Sequence, residues 1–274
     1  MFMEGKALAE LEVKSKPIMD PVWKAMRGDA ATWATGESAL ASWLHAAVLD
    51  QAAFEDALAY LISQKLGGPE MSALSVYQVL HEAVHQDSWI AAAARADLSA
   101  TFERDPACNS YLEPFIFYKG YLALEAYRVA HWLWIKGRKI LAQYIQSRVS
   151  EVLQVDIHPA ARVGQGIMID HASGVVVGET AVIGDGVSLL HGVTLGGTGK
   201  DRGDRHPKIG AGTMVGAGAA ILGNIRIGIC CRIGAGSVVL EDVPDNTTVA
   251  GVPAKEVGEM GCDQPALSMD QQFG

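Results

Sequence analysis

The sequence is poor in charge. Only 19% of its 274 residues are Asp, Glu, Lys or Arg, and the balance is acidic, at −9. A protein that grips nucleic acid through its phosphates needs a basic surface, so that class is excluded. A membrane-spanning stretch is also missing, because no uninterrupted apolar run reaches the roughly 18 residues such a helix requires. At the N-terminus, Glu4, Lys6, Glu10, Glu12, Lys14 and Lys16 leave no apolar segment for a secretory signal. Cysteine is scarce. The four present (Cys108, Cys230, Cys231, Cys262) show no Cys-x-x-Cys spacing, and the adjacent pair is an awkward disulfide. A reducing, cytoplasmic setting is expected, with the thiols acting as small core residues. Hydrophobic residues make up 49% of the chain, which excludes disorder.

Tryptophan is absent after residue 134, whereas most of the 30 glycines lie after residue 160. The architecture therefore changes near residue 150. The first half has helical spacing. Residues 38–64 place Leu40, Trp43, Leu44, Ala47 and Val48 three and four apart, and Gly67-Gly68-Pro69 stops that helix. A second helix starts near Ser72, with Val76, Val79, Leu80, Ala83 and Val84 on one face. A short helical stretch is expected over 98–105, a long apolar one over 114–135, broken at Gly137, and a continuation over 139–152.

The second half keeps a different period. Ile157, Val163, Ile169, Val175, Ala181, Val187 and Val193 fall six residues apart. Ile209, Val215, Ile221, Ile227, Ile233 and Val239 do the same. No α-helix holds a six-residue repeat on one face, whereas a parallel β-helix does, with a short strand and a glycine-assisted turn per hexad. Val193 and Ile209 are sixteen apart, so the glycine-rich, charged segment between them must leave the coil. Loops projecting from a rigid solenoid are where function is usually placed.

Several motifs narrow the solenoid further: Arg104-Asp-Pro106, Val155-Asp-Ile-His-Pro-Ala160, Asp170-His-Ala-Ser-Gly174, Val176-Val-Gly-Glu-Thr180, Thr194-Leu-Gly-Gly-Thr-Gly-Lys200, Gly203-Asp-Arg-His-Pro-Lys208 and Ala250-Gly-Val-Pro-Ala254. On these the chain resembles bacterial serine O-acetyltransferase, of the hexapeptide-repeat acyltransferase superfamily, from about residue 20 to 257. The resemblance implies an α+β fold: an all-helical N-terminal oligomerisation domain (1–153), a left-handed parallel β-helix (154–257) with a projecting loop at 196–208, and a flexible tail (258–274). It implies transfer of acetyl from acetyl-CoA to the L-serine hydroxyl, giving O-acetyl-L-serine for cysteine biosynthesis.

The resemblance also assigns residues. His171 matches the family's catalytic base and Asp156 its carboxylate partner. Asp105 and Asp170 match the positions that hold the serine ammonium, and Arg205 the position that holds the carboxylate. His206 and Glu179 stand beside them. Gly197, Thr198, Gly216 and Ala217 are the expected wall for acetyl-CoA, with Lys255 toward its phosphates, although Ala220 stands where many relatives carry lysine. Acetyl-CoA is a co-substrate, and no permanently bound cofactor is expected. Also implied are a trimer paired into a hexamer, direct transfer without an acyl-enzyme, feedback inhibition by L-cysteine, and a tail that binds O-acetylserine sulfhydrylase. The family's tail ends in isoleucine, whereas this one ends in Gly274.

Two other functional classes remain open on the residues alone: an acetyltransferase for another hydroxyl, such as homoserine or a sugar, and a non-catalytic partner of the sulfhydrylase. The zwitterion-binding Asp105/Arg205 pair favours an amino acid over a sugar. One motif points elsewhere. His81-Glu-Ala-Val-His85 matches the His-Glu-x-x-His of zinc proteases. It is set aside because no third ligand is evident, and no metal site is expected.

Overall fold

The computed structural model describes residues 20–199, 202–259 and 264–269. The N-terminal half is helical: α1 (Pro21–Gly36), α2 (Ser38–Leu44), a π-helical turn (His45–Leu49), α3 (Phe54–Leu66), α4 (Ala73–Gln86), α5 (Ser88–Arg104), α6 (Leu112–Phe117), α7 (Lys119–Ile135) and α8 (Lys139–Leu153). The starts of α1, α2, α4 and α5 follow from capping. Asp20 accepts from the Val22 amide at 2.9 Å ahead of Pro21, and Ser72 accepts from Ser75 at 3.2 Å. The expected apolar face of α4 is buried as read. None of the described helices is long and apolar enough to cross a membrane.

Two helices expected to be continuous are broken. The run 38–64 widens into the π turn and restarts at Phe54, and Arg27 Nη1 donates to the carbonyls of Val48 (3.1 Å) and Gln51 (3.0 Å) at the break. The run 114–135 breaks at Tyr118, which is extended (φ −83°, ψ 108°). Gly120 then presses on the solenoid: a Cβ there would stand 2.0 Å from the Ile169 carbonyl oxygen. The helix expected over 98–105 is the end of the longer α5.

The second half is a parallel β-helix of three faces. The first face stacks β1 (Val155–Ile157), β4 (Val175–Val177), β7 (Thr194–Gly196), β10 (Ala220–Leu222) and β13 (Val238–Val239). The second stacks β2 (Arg162–Val163), β5 (Val182–Ile183), β8 (Lys208–Ile209) and β11 (Arg226–Ile227). The third stacks β3 (Met168–Ile169), β6 (Ser188–Leu189), β9 (Met214–Val215), β12 (Arg232–Ile233) and β14 (Thr247–Gly251), closed by antiparallel β15 (Ala254–Glu259).

Register corrects the simple count of sixes. Val176 pairs with Thr194, eighteen residues on, and Ala220 with Val238, also eighteen. Asp156, however, pairs with Val176, twenty on, and Thr194 with Ala220, twenty-six on. The first coil thus holds two extra residues, in the corner between β3 and β4. The third holds eight, between β7 and β8. Each hexad has two inward positions. Ile157, Val163 and Ile169 stack under Val177, Ile183 and Leu189, whereas Val175 stacks on Val155. The six-residue series from Ile157 to Val193 therefore switches from one inward row to the other at the β3–β4 corner.

A buried ionic cluster joins the halves. Arg128 is fully buried and donates from Nε to Asp97 Oδ2 at 2.9 Å and from Nη2 to the Gly164 carbonyl at 2.8 Å. Asp97 Oδ1 accepts from the Ile167 amide at 2.7 Å. Burial, and next the Asp97 charge, push the neighbouring Glu125 carboxyl well above the usual range. Within the tail, Pro265–Ser268 (α9) packs with Ala266 fully buried, and the Ala266 carbonyl accepts from Ser188 Oγ at 3.0 Å. Cys262 and Gly274 lie outside the described residues.

Candidate active site

Three of the expected residues share one cavity. Asp105, Asp170 and His171 line a space of about 610 Å³ with Tyr118, Lys119 and Gly120. Asp105 ends α5, where its Oδ1 accepts from the Ala107 amide at 2.8 Å. Asp170 and His171 occupy the β3–β4 corner, the one lengthened by two residues. His171 and Ala172 both take positive φ there (55° and 60°), and Ala172 is buried. The His171 side chain is 75% exposed; its Nε2 lies 3.7 Å from Asp170 Oδ2, and its ring packs edge-on to His191 at 5.8 Å.

Asp156 is placed differently from the expected pair. Its Oδ1 accepts from Gln146 Nε2 on α8 at 2.7 Å, and among the described residues no hydrogen bond joins it to His171. His171 lines the cavity, while Gln146 holds one oxygen of the Asp156 carboxylate.

Glu179, Arg205 and His206 form a second cluster. Arg205 Nη2 donates to Glu179 Oε2 at 2.9 Å, and this bond holds the Glu179 carboxyl below its usual range. Thr180 anchors the projecting loop: its Oγ1 accepts from the Arg205 and His206 amides at 3.0 and 3.1 Å. The hydroxyl then donates to His206 Nδ1 at 2.9 Å, and the Thr180 amide donates to the same nitrogen at 3.2 Å. With Nδ1 accepting, the proton of the neutral ring belongs on Nε2. Burial, then the Arg205 charge, lower the His206 pKa and keep the ring neutral. The ring fits because position 178 is glycine: a Cβ there would lie 2.0 Å from His206 Cδ2.

The two clusters stand on different corners of the prism. Asp170 and His171 sit between the third and first faces, with Gly216 and Ala217 two coils on at the same corner. Glu179, Arg205 and His206 sit between the first and second faces, with Gly197 and Thr198. A three-residue strand separates these corners by roughly 10 Å. Lys255 is apart from both, on β15, beside a cavity of about 300 Å³ that it shares with Leu240 and Thr247.

Comparison with known proteins decides among the acyltransferases. Residues 22–126 match the family model described as serine acetyltransferase, N-terminal. The serine acetyltransferase of Salmonella typhimurium is 52% identical over 255 residues, 93% of each chain. The chain belongs to the serine acetyltransferase family. Like the members of that family, it is an acyltransferase. The crystal structure of the Vibrio cholerae serine acetyltransferase superposes with a TM-score of 0.91 at 53% identity, covering 92% of this chain and 98% of that one. Related serine acetyltransferases have been solved with ligands. The Brucella abortus protein was solved with coenzyme A (49% identity, TM-score 0.88, 89% and 98% coverage). The Neisseria gonorrhoeae protein was solved with serine (51%, 0.85, 87% and 98%). A third was solved with cysteine (48%, 0.90, 92% and 98%).

Sequence reasoning missed Tyr118, Lys119, Gln146 and Thr180. Tyr118 and Lys119 reach the cavity only because the helix breaks between α6 and α7; the one available signal was Gly120 just after them. Burial, then Asp105, push the Tyr118 phenol well above its ordinary range, so it stays protonated beside that carboxylate. Thr180 carried no chemical signal, since its role is to tie a loop to a coil.

Proposed function

We propose that the protein moves acetyl from acetyl-CoA to the hydroxyl of L-serine, giving O-acetyl-L-serine and CoA for cysteine biosynthesis, with His171 as general base. The observation that carries this reading is the cavity that gathers Asp105, Asp170 and His171. Two carboxylates suit an ammonium, and a solvent-facing imidazole beside them suits the hydroxyl on the next carbon. His171 takes the hydroxyl proton as the serine oxygen attacks the thioester carbonyl. The tetrahedral intermediate then collapses, the C–S bond breaks, and the leaving thiolate takes the proton from the imidazolium. Acetyl passes directly between substrates in a ternary complex, without an acyl-enzyme. Asp156 is assigned as the carboxylate that steadies the imidazolium. For this the exposed His171 ring must turn toward it when serine fills the cavity.

Arg205 and His206 complete the recognition from another chain. One amino acid cannot reach two corners roughly 10 Å apart. We therefore place the site in the groove between subunits of a trimer, with two trimers joined through their helical halves. The third–first corner of one chain faces the first–second corner of the next. Gly216 and Ala217 on one wall and Gly197 and Thr198 on the other then line the same groove, where acetyl-CoA lies, with Lys255 toward its phosphates. L-Cysteine carries the same ammonium and carboxylate as serine and competes for the same groups.

The test is CoA release from acetyl-CoA with L-serine, L-homoserine and sugars as acceptors. L-Serine should be the preferred acceptor, and His171→Ala should keep the fold while losing at least about 100-fold in kcat, the usual worth of a general base. Near-normal turnover in folded His171→Ala sinks the mechanism, and preference for a sugar sinks the substrate.

A further inference from the structure

The His-Glu-x-x-His motif was set aside for want of a third ligand, and the structure supplies one. His81 and His85 lie four residues apart on one face of α4. Both direct Nε2 at Asp56 on α3: His85 Nε2 is 2.9 Å and His81 Nε2 3.3 Å from the same Asp56 Oδ1. The two imidazole centroids are 4.2 Å apart. One donor atom from each of the three residues lies within 4.8 Å of the others, the one such group of three among the described residues.

We propose that Asp56, His81 and His85 bind a zinc-class divalent cation that staples α3 to α4. A tetrahedral ion with metal–nitrogen bonds of about 2.0–2.1 Å needs ligand atoms about 3.3 Å apart. The observed 2.9 and 3.3 Å lie just below and at that spacing, so small side-chain adjustments admit the ion. Two imidazoles and a carboxylate suit Zn²⁺ and Co²⁺, whereas Mg²⁺ and Ca²⁺ prefer oxygen ligands. Both histidine side chains are 43% exposed, which leaves an entry path and an open fourth position for water. The ion takes the place of the Nε2 proton that His85 directs at Asp56.

The same structure separates this site from a protease. The general base of that motif is its glutamate, and here Glu82 Oε2 accepts from Arg138 Nη1 at 2.9 Å. Its carboxylate is committed to holding α4 against the residue preceding α8. The site therefore serves stability, tying two helices at a point remote from the acetyl-transfer cavity. At a zinc concentration 100 times its Kd, the folded population rises about 100-fold relative to the unfolded.

The experiment uses the untagged full-length protein, stripped of metal by chelator. Zn²⁺ is titrated in competition with a chromophoric chelator, and Co²⁺ is followed by its visible absorption, with Mg²⁺ as a control. The expected result is one ion per chain, Co²⁺ bands of tetrahedral coordination, no competition by Mg²⁺, and a higher Tm with zinc. His81→Gln and His85→Gln should each weaken binding at least about tenfold, and the double variant should abolish it. Asp56→Asn, which preserves shape, should weaken it too. Acetyl transfer in these variants should stay within about twofold of wild type. Unchanged stoichiometry and affinity in the double variant overturns the site. Absence of tetrahedral Co²⁺ bands in the wild type reduces the cluster to a hydrogen-bonded triad and overturns it equally.

Discussion

Gly178→Ala tests how closely the solenoid holds its second cluster. The added Cβ would lie 2.0 Å from Cδ2 and 2.1 Å from Nε2 of His206. Carbon atoms in ordinary contact stand about 3.5–4.0 Å apart, so the ring must retreat by about 1.5 Å. Position 178 does not have positive φ, so alanine meets no backbone penalty and the clash is the whole effect. The retreat breaks both hydrogen bonds from Thr180 to Nδ1, worth about 1 kcal/mol each. Strain from the extra methyl adds about 1 kcal/mol more, giving a loss of about 3 kcal/mol in all. A displacement of about 1 Å in a positioning group costs on the order of 100-fold in rate. The assay is steady-state acetyl transfer with serine varied, run beside urea unfolding. Wild-type stability and wild-type kcat/KM would refute the packing argument. Lost stability with intact kcat/KM would remove His206 from the site.

Three further perturbations probe other parts of the chain. Asp97→Asn removes the carboxylate that Arg128 contacts through Nε and Nη2, leaves Glu125 at 3.4 Å as its remaining acid, and should lower stability by about 3 kcal/mol in urea melts. Asp105→Asn removes one of the carboxylates proposed to face the serine ammonium. It should raise the KM for serine about tenfold or more while leaving that for acetyl-CoA unchanged, a split that initial-rate kinetics reads directly. Acid should destabilise the fold through His158 and His206, whose pKa values are lowered from 6.5 chiefly by burial. Below about pH 6.5 the unfolded chain takes up protons that the folded chain refuses, so stability falls as pH drops. Urea melts at pH 7.5 and 5.5 should show this, with a shallower slope in His206→Asn.

The helical half and the solenoid were legible because each writes its own period into the apolar residues. The break between them was legible because tryptophan stops where glycine accumulates. What the count of sixes could not reveal was the lengthened corner at His171. Its two extra residues match the two-residue offset between the inward rows, so Val175 continues the arithmetic of Ile169 while stacking on Val155. Individual candidate residues were singled out through their motifs, and three of them line one cavity. Their partners were not, because Gln146 reaches Asp156 across a helix end and Thr180 holds His206 from the next coil. Such contacts depend on which corners stack, and stacking is set by register rather than by local pattern. Asp56 escaped notice for the same reason, since it lies on a different helix from the histidines it meets.

The lengthened β3–β4 corner also limits how this solenoid can be rebuilt. Coils of eighteen residues are interchangeable units, and one can be duplicated or swapped without disturbing its neighbours. The first coil is not such a unit. Replacing it with a regular coil would preserve every inward contact, and the product should fold. If His171 is the base proposed above, it would nonetheless be inert, because the two residues removed come from the turn that carries it. In this architecture the spare parts and the irregular parts are made of the same strand grammar, and the two irregular coils, the first at the His171 corner and the third at the projecting loop, cannot be exchanged.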